Sequence, residues 1–276
     1  MPEDTISFGD VQVHRLGFGA MRITGRGIWG APPDRDRAIR VLRDAVHAGV
    51  QIIDTADSYG PSTSEELIAE ALHPYPEDLL IATKAGFDRP APWQWVPNGR
   101  PEHLRQAVEG SLSRLRCEQL GLLQLHTVDP AVPLAESLGT LVELQREGKI
   151  ERLGLSNVDV DELTEARSIA DIVSVQDKYG LTDRTNEPVL EACERLGLPF
   201  LPWHPLGGDG KLPRTVKQVA KRHRATPAQV AIAWLLARSP QLVPIPGTGD
   251  PVHLAENMAA SEVALDDADL RALDAA

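Results

Sequence analysis

The stretch IIDTADSYG, residues 52 to 60, runs two apolar β-branched residues into Asp54 and, five residues later, into Tyr59. Similar junctions recur along the chain. IATKAG holds Lys84 and LLQLHTVDP delivers His126. LGLSN ends in Ser156 and Asn157, and SVQ ends in Gln176. LPFLPW ends in Trp203 and meets His204, and LVPIP leads to Gly247 and Thr248. Singly, each has an ordinary reading: a lysine or histidine after a strand is usually a rim residue, and Asp54 or Ser156-Asn157 would cap the next helix. On one rim, the set can do chemistry. A phenol has a reference pKa near ~10 and is a poor donor at neutral pH. An ammonium about 4 Å away favours the phenolate by roughly 4 kcal/mol at an effective dielectric near ~20. That is up to about three pKa units, opposed in part by burial. A carboxylate beside the lysine keeps it charged and in place. Asp54, Tyr59 and Lys84 can form such a relay, and a neutral His126 beside them would donate to a substrate oxygen. The set suits protonation of an oxygen as it gains negative charge. It contains no source of electrons, so a cofactor is implied.

One rim requires one barrel. Eight β-rich runs punctuate the chain: RLGFGA (15–20), VQIID (50–54), LLIAT (79–83), LGLLQL (120–125), IERLGLS (150–156), DIVSVQ (171–176), LPFLPW (198–203) and LVPIP (242–246). Between them lie amphipathic stretches such as DRDRAIRVLRDAVHAG and PEHLRQAVEGSLSRL, with apolar residues at three- and four-residue spacing. Gly49, Gly148 and Gly197 fall where helix C-caps belong, and Pro101 and Pro251 where first turns start. Strands alternating with helices predict parallel βαβ units, and eight of them predict a closed (β/α)8 TIM barrel over residues 1–276 as one domain. A doubly wound open sheet is the alternative. It usually carries GxGxxG after its first strand, and GFGAMR lacks the third glycine. ISFGDVQVH (6–14) predicts a β-hairpin plugging the N-terminal end of the barrel. Residues 86–100 are Pro-rich and read as structureless, and 204–214 are rich in Pro and Gly; both follow a strand and so belong on the C-terminal face, where barrel enzymes bind substrate.

The chain has 276 residues and a formal net charge of -12. Acidity argues against nucleic acid, whose phosphates demand a basic face. Cys117 and Cys193 stand 76 residues apart without a CxxC, so neither a zinc site nor a disulfide framework is expected, and both read as buried or half-buried thiols. MPEDTISFGD is acidic and holds no apolar run, so the expectation is no signal peptide, no membrane span and a cytoplasmic protein.

The motifs resemble those of the aldo-keto reductases over essentially the whole length. They are RLGFGAM (15–21), IDTADSYG (53–60), IATKAG (81–86), LLQLH (122–126), REGKIERLGLSN (146–157), SVQ (174–176), PWHPLGG (202–208), PAQVAIAWLL (227–236) and IPGTGDPVHLAENMAA (245–260). The resemblance implies a barrel that binds NADPH extended across its C-terminal face. It makes Tyr59 the general acid, Lys84 the group that lowers its pKa, Asp54 the partner of Lys84 and His126 the group that orients the carbonyl. Asp57 has no role in the motif and reads as a solvated loop carboxylate. Ser156, Asn157 and Gln176 would hold the nicotinamide carboxamide, and Trp203 would stack on the ring. The segment from His204 through Pro205 and Leu206 to Gly208 would cross the pyrophosphate. Gly247, Thr248, Glu256 and Asn257 would face the adenosine end, with Gly19, Met21 and Asp54 also beside the cofactor.

This sequence departs from the family's pattern at two positions. Many members carry a lysine where Gly247 stands and an arginine where His253 stands, cations that neutralise the 2′-phosphate of NADPH. Their absence leaves NADH open beside NADPH. Thr248, a protonated His253 and the amides opening helix 251–259 remain available for a phosphate. GAMRITGRGIWGAP, PLGG and IPGTGDPVHLAENMAA look most like bacterial members associated with pyridoxal reduction. The candidate substrate pocket is then Trp29, Phe87, Trp93 and Trp95, with Lys211, although Trp93 and Trp95 can equally anchor their own loop.

Two other functions fit parts of the pattern. A nicotinamide-nucleotide sensor with little turnover would use the same fold but needs a partner surface, and the sequence shows no extra domain or long insertion to supply one. A metal-dependent barrel hydrolase needs several His and carboxylate ligands at strand ends, where only Asp54 and His126 qualify. No metal is expected, the partner is a small-molecule carbonyl, and the oligomeric state is open.

Overall fold

A computed structural model of the chain describes residues 5–205 and 212–276. Strands β1 (Thr5–Phe8) and β2 (Val11–His14) pair antiparallel around the Gly9-Asp10 turn. Gly9 stands at φ 66, a left-handed value that glycine takes without strain. Ile6, Phe8 and Val13 point from this hairpin into the bottom of the barrel, against Ile52, Leu80, Leu122, Leu201 and Val243. The expected plug is therefore present, and Arg152 fastens it by donating to Asp10 Oδ1.

The barrel strands follow as β3 (Phe18–Gly19), β4 (Ile52–Asp54), β5 (Leu80–Ala85), β8 (Leu122–Leu125), β9 (Leu153–Ser156), β10 (Ile172–Lys178) and β11 (Phe200–Trp203). They form one parallel sheet in chain order, with Gly19 opposite Asp54, Asp54 opposite Ala82, Lys84 opposite Gln124 and Gln176 opposite both Ser156 and Leu201. Helices α1 (Arg35–His47), α2 (Thr63–Leu72), α3 (Pro101–Leu115), α4 (Leu134–Arg146), α5 (Val160–Ile169), α6 (Glu187–Leu196), α7 (Arg214–His223) and α8 (Pro227–Arg238) cover the outside. Sheets covered by helices are buried on both faces, which is why these strands read as continuous apolar runs. Gly49, Gly148 and Gly197 all take positive φ just past their helices, and Pro101 and Pro251 open α3 and α9 (Pro251–Met258), as expected.

The eighth run differs from its expectation. Residues 242–246 close the barrel through a single bridge, Leu242 to Phe200, and through bonds from Val243 N to Phe200 O and Gly17 N to Pro244 O. Pro244 and Pro246 have no N–H to give, so a regular ladder cannot form there. The loop 86–100 is also not structureless. Phe87–Asp88 (β6) pairs with Val96–Pro97 (β7) in a short antiparallel hairpin. Helix α10 (Asp267–Asp274) completes the described chain.

Period-two alternation positions the site. Side chains of one parity face the barrel axis. Near the bottom these are Ile52, Leu80 and Leu122; one pleat higher or more along the same strands stand Asp54, Ala82, Lys84 and Gln124. The axis thus changes from apolar to polar toward the C-terminal ends. Cys117 is half-buried just beyond α3 and Cys193 is buried in α6, both as free thiols. No helix among the described residues is long and apolar enough to cross a membrane.

Candidate active site

Strands β4 and β5 deliver Asp54 and Lys84 to one point on the axis. The Lys84 ammonium donates to Asp54 Oδ1 and Oδ2, both at 2.7 Å, and to the Thr55 carbonyl at 2.8 Å, with its side chain fully buried. The Tyr59 hydroxyl lies 3.5 Å from the same nitrogen. Gln176 Nε2 donates to Asp54 Oδ2 at 2.7 Å and to Gln124 Oε1 at 3.0 Å. A buried ion pair needs its remaining lone pairs and protons satisfied, and this network does so.

Tyr59 is buried and its phenol is held well above its ordinary pKa, first by burial and then by the carboxylates of Asp54 and Asp57, with Arg89 opposing. The expected net lowering by Lys84 is therefore not what the site shows. Asp54 already neutralises the ammonium, so burial wins. Burial also holds the Lys84 ammonium below its usual range, against the pull of Asp54.

His126 follows β8 and packs edge-on against Tyr59, Phe87 and Trp95. Its imidazole is held well below the usual histidine range, first by burial and then by Lys84 and Arg89, so it is neutral at physiological pH. Nδ1 lies 3.3 Å from Ser58 Oγ. A hydroxyl donated to Nδ1 leaves the proton on Nε2, the tautomer that a carbonyl oxygen needs.

Above these groups opens a cleft of about 640 Å³. At its chemical end it is lined by Asp54, Tyr59 and His126, with Phe87, Trp93 and Trp95 as an aromatic wall and Ile28 and Thr127 beside them. Its lining also includes Gly19, Met21 and Arg22 from the first loop, Ser156, Asn157 and Gln176 at the ends of β9 and β10, and Trp203, His204, Pro205 and Gly247. Asn157 donates to the His126 carbonyl at 2.9 Å and accepts from Trp203 Nε1 at 3.1 Å, tying three strand ends together. Asn157 and His204 both take positive φ, 56 and 54. Such strain gathers at ligand sites.

Other expected residues stand elsewhere. Lys84 lies beneath the cleft rather than in its wall. Trp29 does not line it; Trp29 bridges to Gly60 and stands beside Arg89. Thr248 and Asn257 are buried and Glu256 half-buried near α9, and His253 is exposed on that helix. Leu206, Gly208 and Lys211 lie outside the described residues.

Asp57 corrects its expectation as a solvated carboxylate. Its N–H donates to the Lys84 carbonyl and its own carbonyl accepts from Ser62, which turn the residue inward. Oδ1 is buried without a hydrogen-bond partner, and burial, then the nearby Glu65 carboxylate, push the carboxyl up to about 8. A carboxyl raised in the folded state costs nothing below its unfolded value and costs stability as pH climbs toward the folded one. Asp57→Asn is therefore expected to stabilise the fold by about 2–5 kcal/mol at alkaline pH and hardly at all near pH ~4. Thermal melts at the two ends of that window check it, and equal gains at both would reject titration of Asp57 as the cause.

Sequence reasoning missed two residues. Arg22 is the one lysine or arginine among the described lining residues. Arg89 lies behind the aromatic wall, its guanidinium 3.7 Å from the Trp95 ring centre. Only the position of Arg22 directly after Met21, which the family resemblance puts beside the cofactor, carried a signal.

The cleft fits a dinucleotide. Gln176 has its amide N–H groups engaged, which leaves Oε1 to accept from a carboxamide. Gly19 and Gly247 approach so closely that a Cβ on Gly247 would stand 2.4 Å from the Gly19 carbonyl oxygen. This excludes a lysine at 247 on the present backbone and leaves bare main chain along the floor. The Arg22 side chain fills the neighbouring space, with Cγ 3.6 Å from where that Cβ would be.

A parallel barrel with a phenol, an ammonium, a carboxylate and an imidazole at one end of a dinucleotide-sized cleft is the build of a carbonyl oxidoreductase. The chain belongs to the aldo/keto reductase family, whose model matches residues 15–276. Pyridoxine 4-dehydrogenase of Escherichia coli is 42% identical over 281 residues, covering 99% of this chain and 98% of that protein. An uncharacterized oxidoreductase of Schizosaccharomyces pombe is 44% identical over 95% of this chain and 86% of its own length. An aldo-keto reductase from Klebsiella pneumoniae in complex with NADPH superposes with a TM-score of 0.85 at 27% identity, covering 100% of this chain and 95% of that one. The protein is an NAD(P)H-dependent enzyme.

Proposed function

We propose that this enzyme reduces a flat aromatic aldehyde, pyridoxal foremost, to its alcohol, using NADPH. One observation carries the reading: the Tyr59 phenol, kept protonated by burial, opens into the cleft beside a neutral His126 and beneath an aromatic wall. NADPH, when bound, supplies the hydride. His126 Nε2–H orients the carbonyl oxygen, and Tyr59 gives its proton to that oxygen as negative charge develops there. An alkoxide is the stronger base, so a phenol with a raised pKa still donates downhill. Lys84, held by Asp54, faces the phenolate that results. Ser156, Asn157 and Gln176 hold the carboxamide and Trp203 stacks on the nicotinamide. Phe87, Trp93 and Trp95 supply π-faces for the substrate ring. The likeness to pyridoxine 4-dehydrogenase supports this substrate class.

The test is a steady-state assay against a carbonyl panel that includes pyridoxal, run with NADPH and with NADH. Faster NADPH oxidation with pyridoxal than with simple aldehydes is the expected result. Tight NADPH binding without turnover of any carbonyl would overturn the reading in favour of a nucleotide sensor. Arg22 faces the phosphates in this reading, and a charge-assisted hydrogen bond contributes about 1.5–3 kcal/mol. Arg22→Ala is expected to weaken NADPH by a factor of roughly ten or more. Quenching of tryptophan fluorescence gives the Kd, and an unchanged value would place the phosphates elsewhere. An equal loss for NADH assigns Arg22 to the pyrophosphate; a loss confined to NADPH assigns it to the 2′-phosphate.

A further inference from the structure

Arg89 is bound by three separate segments of chain. Nη1 donates to the Ser58 carbonyl at 2.6 Å, Nη2 to the Gly27 and Ile28 carbonyls at 3.2 and 3.1 Å, and Nε to the Gln94 carbonyl at 2.9 Å. Its plane lies over the Trp95 ring at 3.7 Å, and Trp29 stands 5.6 Å away on the same guanidinium. Among the described residues no carboxylate pairs with it. Four of the five N–H groups of the fork are therefore directed at main-chain oxygen, and the guanidinium also lies against an indole.

The joined segments are those that shape the substrate end. Ser58 adjoins Tyr59. Gly27 and Ile28 belong to the first loop, where Ile28 lines the cleft. Gln94 lies in the turn between Trp93 and Trp95. Ile28 and Trp93 both hold left-handed backbone, φ 53 and 64, which a side-chain-bearing residue keeps only when its surroundings demand it. Trp95 in turn meets Tyr59, Phe87 and His126 edge-on, at 6.1, 5.5 and 6.0 Å between ring centres.

We propose that Arg89 is a positioning residue that fixes the 86–97 loop as a preformed aromatic wall over Tyr59, and so sets a preference for flat aromatic carbonyls over small aliphatic ones. The wall stands before substrate arrives; it is not a lid that closes afterwards. A planar fork is needed because the four acceptors lie in three directions, and a lysine could satisfy few of them. The inference rests on the carbonyl-reduction reading for its kinetic half only.

Two measurements test it on the full-length enzyme, with Arg89→Met and Arg89→Lys. Hydrogen exchange of the free protein is the first. The Trp93 amide, bonded to the Gly27 carbonyl, and the Asn98 amide, bonded to Gly86, are expected to be protected in wild type and to gain little when NADPH and substrate are added. Both variants are expected to lose protection across 86–97 while keeping it in β5 and β8. The second is the ratio of kcat/KM for benzaldehyde to that for propionaldehyde, expected to fall about tenfold or more in both variants, mainly through KM for the aromatic substrate. A loop that is unprotected in the free wild type and becomes protected on ligand binding would overturn the proposal, as would an unchanged ratio in Arg89→Met. If the wild type turned over no carbonyl at all, the catalytic reading would fail, and exchange alone would still decide whether Arg89 holds the wall.

Discussion

Tyr59→Phe is expected to lose reductase activity by about a thousandfold in kcat/KM, within the range that a positioned general acid contributes. That is roughly 4 kcal/mol of transition-state stabilisation. The edge-on ring contacts with Trp95 and His126, at 6.1 and 5.8 Å between centres, are available to phenylalanine's ring as well. Among the described residues the hydroxyl has one hydrogen-bond partner, the Lys84 ammonium at 3.5 Å, so little else is disturbed. Cofactor affinity is expected to stay within about twofold, because binding and proton donation use different groups. Steady-state kinetics and a fluorescence titration separate the two, and wild-type turnover in the variant would remove Tyr59 from its role. The same phenol fixes the sign of the pH profile. With its pKa held above the ordinary value by burial, it stays protonated through neutral pH. Reduction should therefore run level across that range and decline only in strong alkali. Oxidation of the alcohol, which needs the phenolate as base, should rise in the same alkaline range.

Much of the fold and the centre of this site can be read from the sequence, and the reason is geometric. Asp54, Lys84, His126 and Gln176 each end an apolar run, and a parallel barrel collects strand ends onto one rim. Period-two alternation then turns those side chains toward the axis. What escapes is decided by contacts that leave no mark along the chain. Arg89 acts through four main-chain carbonyls in three segments, and no side-chain pattern announces an acceptor carbonyl. Asp57 looks solvated because its neighbours in sequence are polar, but the Lys84 carbonyl draws its backbone inward and seals one oxygen. Trp29 matches the pocket by type and faces Arg89 instead. The incomplete eighth strand was legible in principle, since Pro244 and Pro246 withhold two N–H groups from any ladder. The glycine at 247 reads in sequence as a missing cation. In the structure it is a steric requirement, imposed by the Gly19 carbonyl across the cleft floor.

Lys84→Met separates the two roles that the buried pair combines. The ammonium is fully buried and its charge is matched by a carboxylate at 2.7 Å on both oxygens. Removing one partner of such a pair leaves the other uncompensated, at a cost of about 3–5 kcal/mol. Lys84→Met is expected to fall by that amount in chemical denaturation and to lose at least a hundredfold in kcat/KM, the low end of what general acid catalysis supplies. Asp54→Asn with Lys84→Met removes both charges, so most of the stability should return. Activity should not return, because no cation then faces the phenolate that proton transfer leaves on Tyr59. The double-mutant cycle thus gives a large coupling in stability and little coupling in the recovery of rate. If the double variant regained activity along with stability, Lys84 would act only by holding the fold of the strand ends. If both variants kept the wild-type rate and only NADPH affinity dropped, Lys84 would belong to cofactor binding.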